Sequence, residues 1–271
     1  MTNRQTSRHA YPPRVRQLSV ARVEDLSASM RRIVLAGDEL EDSLPVPPLS
    51  VATHVKVVVP DPTSRQVVLP TLRERGLTWP DGAPPAVRDY TVRAFDAARR
   101  ELTLDFVLHE HGPAGRWAIA AQPGDQLGVM GPRGYTVYPS AFPRYVLGAD
   151  ETALPATERW IAEAPRNAVL DVHVLVPDAA GQRDLPAHPG LRLHWLRGSS
   201  GDDLARALIG ASSSDDGNTF VWAAGEATVL QQVRRHLRRT AGFTAEATDI
   251  HGYWKHGTAD HHDSHERGTT R

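Results

Sequence analysis

The chain has no cysteine. Disulfides, thiolate catalysis, Cys-ligated zinc and a resident iron–sulfur cluster are therefore excluded from it. A reducing cytoplasm fits that usage. Lysine is almost as scarce: Lys56 and Lys255 stand alone among abundant arginines, which marks both for attention. No stretch approaches the ~20 apolar residues of a membrane span. Met1–Ala10 is polar and lacks the apolar run of a signal peptide, so a cytoplasmic protein without a membrane span is expected. A formal net charge of -1 lacks the basic excess of a nucleic-acid binder, and none is expected as a partner.

What is present fits a globular protein of one large domain or two ordinary ones. Of the 271 residues 40% are hydrophobic and 23% charged, and 21 Pro and 21 Gly favour a turn-rich fold. From Arg14 the chain gives short alternating runs at Val15–Val23, Met30–Leu35, Val51–Val59, Val87–Ala94, Leu102–Leu108 and Gln126–Met130. Strands of that length, broken by Pro, Gly and Asp, predict an antiparallel β-barrel over 14–139, and a helix is expected at Pro113–Ala121. The texture changes at Pro139–Pro143. Apolar strands at Tyr145–Gly148, Ala168–Val176, Leu191–Leu196 and Thr219–Ala224 then alternate with helical stretches at 152–164, 203–209 and 228–239. That spacing predicts a parallel α/β domain over 143–257. Residues 1–13 and 258–271 are polar and are expected to be disordered tails.

Arg88-Asp89-Tyr90-Thr91 places a cation, a ring and a hydroxyl within four residues. An aromatic ring can stack on an isoalloxazine, a Thr can hydrogen-bond its edge, and an Arg can neutralise phosphate. Strand alternation puts Arg88, Tyr90 and Val92 on one face and Asp89, Thr91 and Arg93 on the other. His109 ends the next strand. Gly112, Ala114 and Gly115 then allow close approach of backbone to an anion at a helix N-terminus. Trp117 belongs to the same candidate cofactor set, although helix packing explains it better than cofactor stacking. Together these residues suit a flavin dinucleotide. In the second half, Asp150, Thr152 and Ala153 follow a strand and open a helix, where a nucleotide would sit at the carboxyl end of a parallel sheet. Asp150 or Thr152 as a simple helix cap is the plainer reading. Gly225 and Glu226 end the last strong strand, with Glu226 either a nicotinamide contact or a helix N-terminal charge.

Five motifs occur in order: Arg88-x-Tyr90-Thr91, Gly112-Pro113-Ala114 with Trp117-Ala118, Gly148–Ala156, Trp222–Glu226 and Gly252-Tyr253-Trp254-Lys255-x-Gly257. In that order they resemble the siderophore-interacting protein family over roughly 14–257. These are FAD-carrying, NAD(P)H-dependent ferric-siderophore reductases with a ferredoxin-reductase-like plan. The resemblance implies a six-stranded flavin-binding barrel followed by a nucleotide-binding domain. It also implies contacts of Arg88, Tyr90 and Thr91 with FAD phosphate, isoalloxazine and flavin edge. Gly115 departs from family members with Ser or Ala there. A subgroup of the family uses Lys and Arg around the open flavin face, which makes Lys56, Arg133 and Lys255 candidates for holding an anionic ferric siderophore.

The implied reaction passes electrons from NADPH or NADH through FAD to siderophore-bound Fe(III), releasing Fe(II). It needs no general acid or base, no resident metal and no protein partner. Alternatives are a flavin or electron-transfer reductase for another acceptor, or a non-enzymatic ferric-siderophore-binding protein. Arg183, Arg197 and Asp178 lie in loops where NADH and NADPH would be told apart. The scattered His251, His256, His261, His262 and His265 are not read as a metal site.

Overall fold

The computed structural model describes residues 3–40, 44–73, 76–80, 85–214 and 217–258. The chain divides into two compact units, Ser7–Tyr138 and Pro139–Arg271, the latter joined by Met1–Thr6. The expected disordered C-terminal tail lies outside the described residues but for Thr258, as do His261, His262 and His265.

The first unit runs β1 (Ser7–Ala10), β2 (Val15–Asp25), β3 (Met30–Ala36), β4 (His54–Val58), β5 (Thr71–Arg73), β6 (Gly76–Thr78), β7 (Val87–Asp96), β8 (Glu101–Val107), α1 (Pro113–Ala120), β9 (Gln126–Met130) and β10 (Gly134–Val137). Six of these strands close a barrel in the order β2-β3-β8-β7-β4-β9, every neighbour antiparallel. Alternation does the sorting. Leu18, Ile33, Leu35, Val55, Val57, Leu104 and Val129 point inward and are fully or almost fully buried. Closure leaves the barrel without an exposed edge. α1 begins with Pro113 in its first turn, where no intrahelical donor is needed. It ends where the Arg31 guanidinium donates to the carbonyls of Ala118 (3.1 Å) and Ile119 (2.8 Å).

The loose arm expected over residues 1–13 is a correction. Ser7–Ala10 forms β1, which pairs antiparallel with β10 from Ser7↔Val137 to Ala10↔Gly134. Upstream of it, Arg4 donates to the Gly217 carbonyl at 2.7 Å and lies over the Phe142 ring. A polar run becomes a strand here because its hydrogen bonds are supplied by a partner more than a hundred residues away.

The second unit comprises β11 (Arg144–Asp150), α2 (Leu154–Glu163), β12 (Val169–Val176), β13 (Leu191–Arg197), α3 (Asp202–Ala211), β14 (Thr219–Glu226), α4 (Ala227–Arg239) and β15 (Thr248–Trp254). Its five strands are parallel in the order β13-β12-β11-β14-β15. The two central strands are near-continuous apolar runs, as a sheet covered on both faces requires. Gly148 admits the Leu208 side chain of α3; a Cβ there would meet it at 2.5 Å. Beside the sheet, Tyr145, Trp160, Phe220 and Trp222 form one fully buried aromatic row with ring centroids 5.4–6.3 Å apart. β15 was not expected as a strand, nor were β5, β6 and β10.

Candidate functional site

In the barrel unit, β7 lies between β4 and β8. The register pairs Arg88 with Val57, Tyr90 with Val55, Asp89 with Lys56 and Thr91 with His54. Directly opposed residues share a face, so Arg88 and Tyr90 lie on the side of the core valines, as alternation predicts. One face of the Tyr90 ring rests on Phe106 (centroids 4.1 Å), which in turn meets Trp117 at 5.6 Å. Burial pushes the Tyr90 hydroxyl far above its ordinary range, so it stays a neutral phenol. Trp117 packs against the barrel core, so its packing role is the one seen. Thr91 is buried on the outward face. Arg88 donates to the Val87 carbonyl at 2.7 Å, leaving further N–H groups on its guanidinium.

His109 organises the turn before α1. A Cβ on Gly115 would sit 2.3 Å from the His109 carbonyl oxygen, and one on Gly112 would sit 2.9 Å from the imidazole Cε1. Both glycines thus make room for His109. Burial, aided by the charges of His111, Arg116 and Arg88, holds the His109 pKa below the ordinary histidine value. Its imidazole is therefore neutral near pH 7, and Arg88 and Arg116 converge on this turn. Gly112 occupies the N-cap of α1 and offers no side-chain acceptor to the first turn. The N–H groups of Ala114 and Gly115 precede the first intrahelical bond, Arg116 N–H to the Gly112 carbonyl at 3.1 Å. Uncapped donors, small residues and two arginines suit a pyrophosphate, so this donor set fits FAD.

In the sheet unit, strand order reverses between β11 and β14, the position where open α/β sheets bind ligands beyond their carboxyl ends. Asp150 ends β11 there. Its carboxylate accepts from Thr152 N–H (2.9 Å), Thr152 Oγ1 (2.5 Å) and the Trp254 indole N–H (2.7 Å). The Glu226 N–H adds a fourth bond, yet burial prevails and pushes the Asp150 pKa upward. Gly225, at φ +153, leaves the space that Asp150 fills; a Cβ would lie 2.6 Å from its Oδ2. Glu226 caps α4, its Oε2 accepting from Val229 N–H at 2.8 Å. Its role as a helix charge is therefore seen. Ala153 is fully buried at the start of α2. These residues come together as expected, but as one hydrogen-bonded junction of three strand ends. Trp254 was the missing member, and its place in the Gly252–Gly257 motif was the available signal.

The candidate cations differ in state. Lys56 is paired with Asp89 across β4 and β7 at 2.7 Å. Arg133 is exposed in the turn between β9 and β10. Lys255 is exposed just after β15, its carbonyl accepting from Thr258 N–H at 3.0 Å. Lys56 and Arg133 belong to the barrel unit and Lys255 to the sheet unit. Of the loop residues considered for nucleotide choice, Arg183 has a buried side chain paired with Glu158 at 2.6 Å. Asp178 caps a short turn by accepting from Ala180 N–H at 2.8 Å. Arg197 reaches Gln182 at 3.4 Å.

A flavin-type barrel followed by a parallel nucleotide-type sheet defines a class of two-domain flavoprotein. Within it, residues 19–136 match the siderophore-interacting FAD-binding domain and residues 142–257 match the siderophore-interacting protein domain. The chain belongs to the siderophore-interacting protein family. It is 36% identical over 236 residues to the NADPH-dependent ferric-chelate reductase of Escherichia coli, covering 84% of this chain and 90% of that protein. It is 29% identical over 247 residues to the ferric vibriobactin reductase of Vibrio cholerae, covering 89% and 90%. The crystal structure of a siderophore utilization protein from T. fusca superposes with a TM-score of 0.86 at 38% identity, covering 96% of this chain and 100% of that one.

Proposed function

We propose that this protein is a cytoplasmic ferric-siderophore reductase that takes electrons from NADPH or NADH and releases Fe(II). The observation that carries the reading is the uncapped start of α1 with Arg88, Tyr90 and Arg116 around it, in a chain of a family with an FAD-binding domain. The E. coli and V. cholerae relatives, both named as reductases of ferric chelates, support the substrate class. FAD, when bound, supplies a two-electron acceptor for hydride and a one-electron donor to Fe(III).

The residues of the chain do the holding. The Ala114 and Gly115 N–H groups would hold pyrophosphate with Arg88, and the half-buried Tyr90 ring on Phe106 would carry the ring system. The junction at Asp150 fixes the carboxyl ends of β11, β14 and β15, against which the nicotinamide nucleotide docks. Arg133 on the barrel unit and Lys255 on the sheet unit are exposed cations, each a candidate contact for an anionic chelate. Fe(II) binds hard-oxygen chelators less tightly than Fe(III), so reduction frees the metal.

The deciding experiment is anaerobic reduction of the purified flavoprotein by NADPH and by NADH, followed by ferric chelates with a chromogenic Fe(II) trap. Flavin bleaching by a nicotinamide and reoxidation by a ferric siderophore with stoichiometric Fe(II) support the proposal. Bleaching without reoxidation by any ferric chelate points to another acceptor and refutes it.

A further inference from the structure

A second cluster of titratable side chains lies toward the amino-terminal end of the parallel sheet. Asp171 and His173 are alternate residues of β12 and so stand on one face. His194, on the edge strand β13, is the register partner of His173. Asp171 pairs in register with Val146, and Asp150 lies four residues further along β11, about 13 Å away at strand rise. The cluster is therefore separate from the nucleotide end of the sheet.

Its geometry is that of ligands around one centre. Asp171 Oδ1 is 3.1 Å from His194 Nε2 and 3.3 Å from His173 Nε2. Donors set ~2.1 Å from a shared ion at tetrahedral or octahedral angles stand about 3.0–3.4 Å apart. The other carboxylate oxygen, Oδ2, accepts from Arg144 Nη2 at 2.7 Å, which turns Oδ1 toward the histidines. His173 is only 8% exposed; its Nε2 faces Asp171 Oδ1, and its Nδ1 has no hydrogen-bond partner among the described residues. Such a group is costly to bury unless something satisfies it. The rings of His173 and His194 are stacked at 4.7 Å, which holds the two imidazoles side by side. The His194 side chain, 49% exposed at the sheet edge, provides an entry path.

We propose that Asp171, His173 and His194 form a binding site for a divalent first-row transition ion. Two imidazoles and one carboxylate favour Zn²⁺, Co²⁺, Ni²⁺ or Fe²⁺ over Mg²⁺ and Ca²⁺, which take all-oxygen shells. No α-helix connects β12 to β13; only a short 3₁₀ turn, Ala179–Gly181, lies between them. An ion there would cross-link the edge strand to its neighbour where no helix clamps it. This reading departs from the expectation of no resident metal, and it does not depend on the redox assignment.

The test uses the full chain, stripped of metal by chelator dialysis and titrated with Zn²⁺ against a chromophoric indicator. Three proteins are compared: the parent, His194→Ala, and a triple variant with His261, His262 and His265 changed to Gln. The parent and the triple variant should each bind one Zn²⁺ tightly and gain in Tm with it. His194→Ala, altered at an exposed position, should bind roughly tenfold or more weakly and gain no Tm. Co²⁺ should give a visible ligand-field band in the parent that His194→Ala lacks. Equal Zn²⁺ affinity in the parent and His194→Ala, loss of the site in the triple variant, or no Zn²⁺ uptake by the parent would each overturn the proposal.

Discussion

Trp254 donates its indole N–H to Asp150 across 2.7 Å, binding the last strand of the sheet to the end of its central one. The bond joins residues 104 positions apart and makes Asp150 the shared acceptor of three strand ends.

Asp150→Asn should destabilise the protein by about 1–3 kcal/mol, because an amide NH₂ would face donors that now find a carboxylate. The cost should depend on pH. The folded pKa of Asp150 is raised above the ordinary 3.8, so the folded state holds its proton more tightly than the unfolded chain does. The contribution of Asp150 is then fullest below about pH 4 and declines as pH rises through the raised value. Urea melts of parent and variant from mildly acidic to neutral pH should show the gap narrowing. A gap that widens with pH would contradict the assignment.

Gly115→Ala should cost about 1–3 kcal/mol, since the new methyl meets a backbone carbonyl that cannot move aside cheaply. Gly112→Ala should cost less, as it meets only the His109 ring. Flavin retention after gel filtration should fall in the same order as the melting temperatures.

Arg88→Ala should lose FAD more readily than the parent while keeping its fold. Because the Arg88 charge depresses the His109 pKa, the same variant should titrate His109 at a higher pH, which NMR of the imidazole protons can follow. Unchanged flavin affinity would remove Arg88 from the phosphate site.

Arg183→Met should destabilise by about 3–5 kcal/mol, measured by chemical denaturation, because it leaves the buried Glu158 carboxylate without its partner. A variant of normal stability but altered preference between NADH and NADPH would return Arg183 to the nucleotide site.

Lys255→Ala and Arg133→Ala should each raise the apparent KM for an anionic ferric chelate and leave flavin reduction by nicotinamide unchanged. Lys56→Ala should do less, since Asp89 already balances its charge. Added salt should shrink the first two effects. Equal losses in both half-reactions for Lys255→Ala would assign it to the nicotinamide or the fold.

Much of this structure could be read where a segment carries its own signal. β9 falls on Gln126–Met130 as alternation predicts, and α1 starts at Pro113 as its turn chemistry predicts. Where the signal belongs to a partner, reading failed. Ser7–Ala10 is polar and becomes a strand only against Gly134–Val137. Thr248–Trp254 was legible as a motif but not as the strand that β14 makes of it. At the candidate sites, residue chemistry located the ends of β11 and β14 and the start of α1. It could not show that Gly115 serves His109, or that Lys56 is neutralised by Asp89. Nor could it bring His194 beside His173, because only the parallel register of β12 and β13 does that.

The aromatic row at the core of the sheet unit has an optical consequence. Trp160 and Trp222 have no solvent exposure and lie 6.3 Å apart, while Trp117 packs against the barrel beside Phe106. Emission from the first two should be blue-shifted and should redden only when the sheet unit melts. Trp117, close to the flavin strand, should be quenched when the cofactor is in place. One intrinsic signal therefore separates loss of flavin from loss of the nucleotide-side fold, without a label.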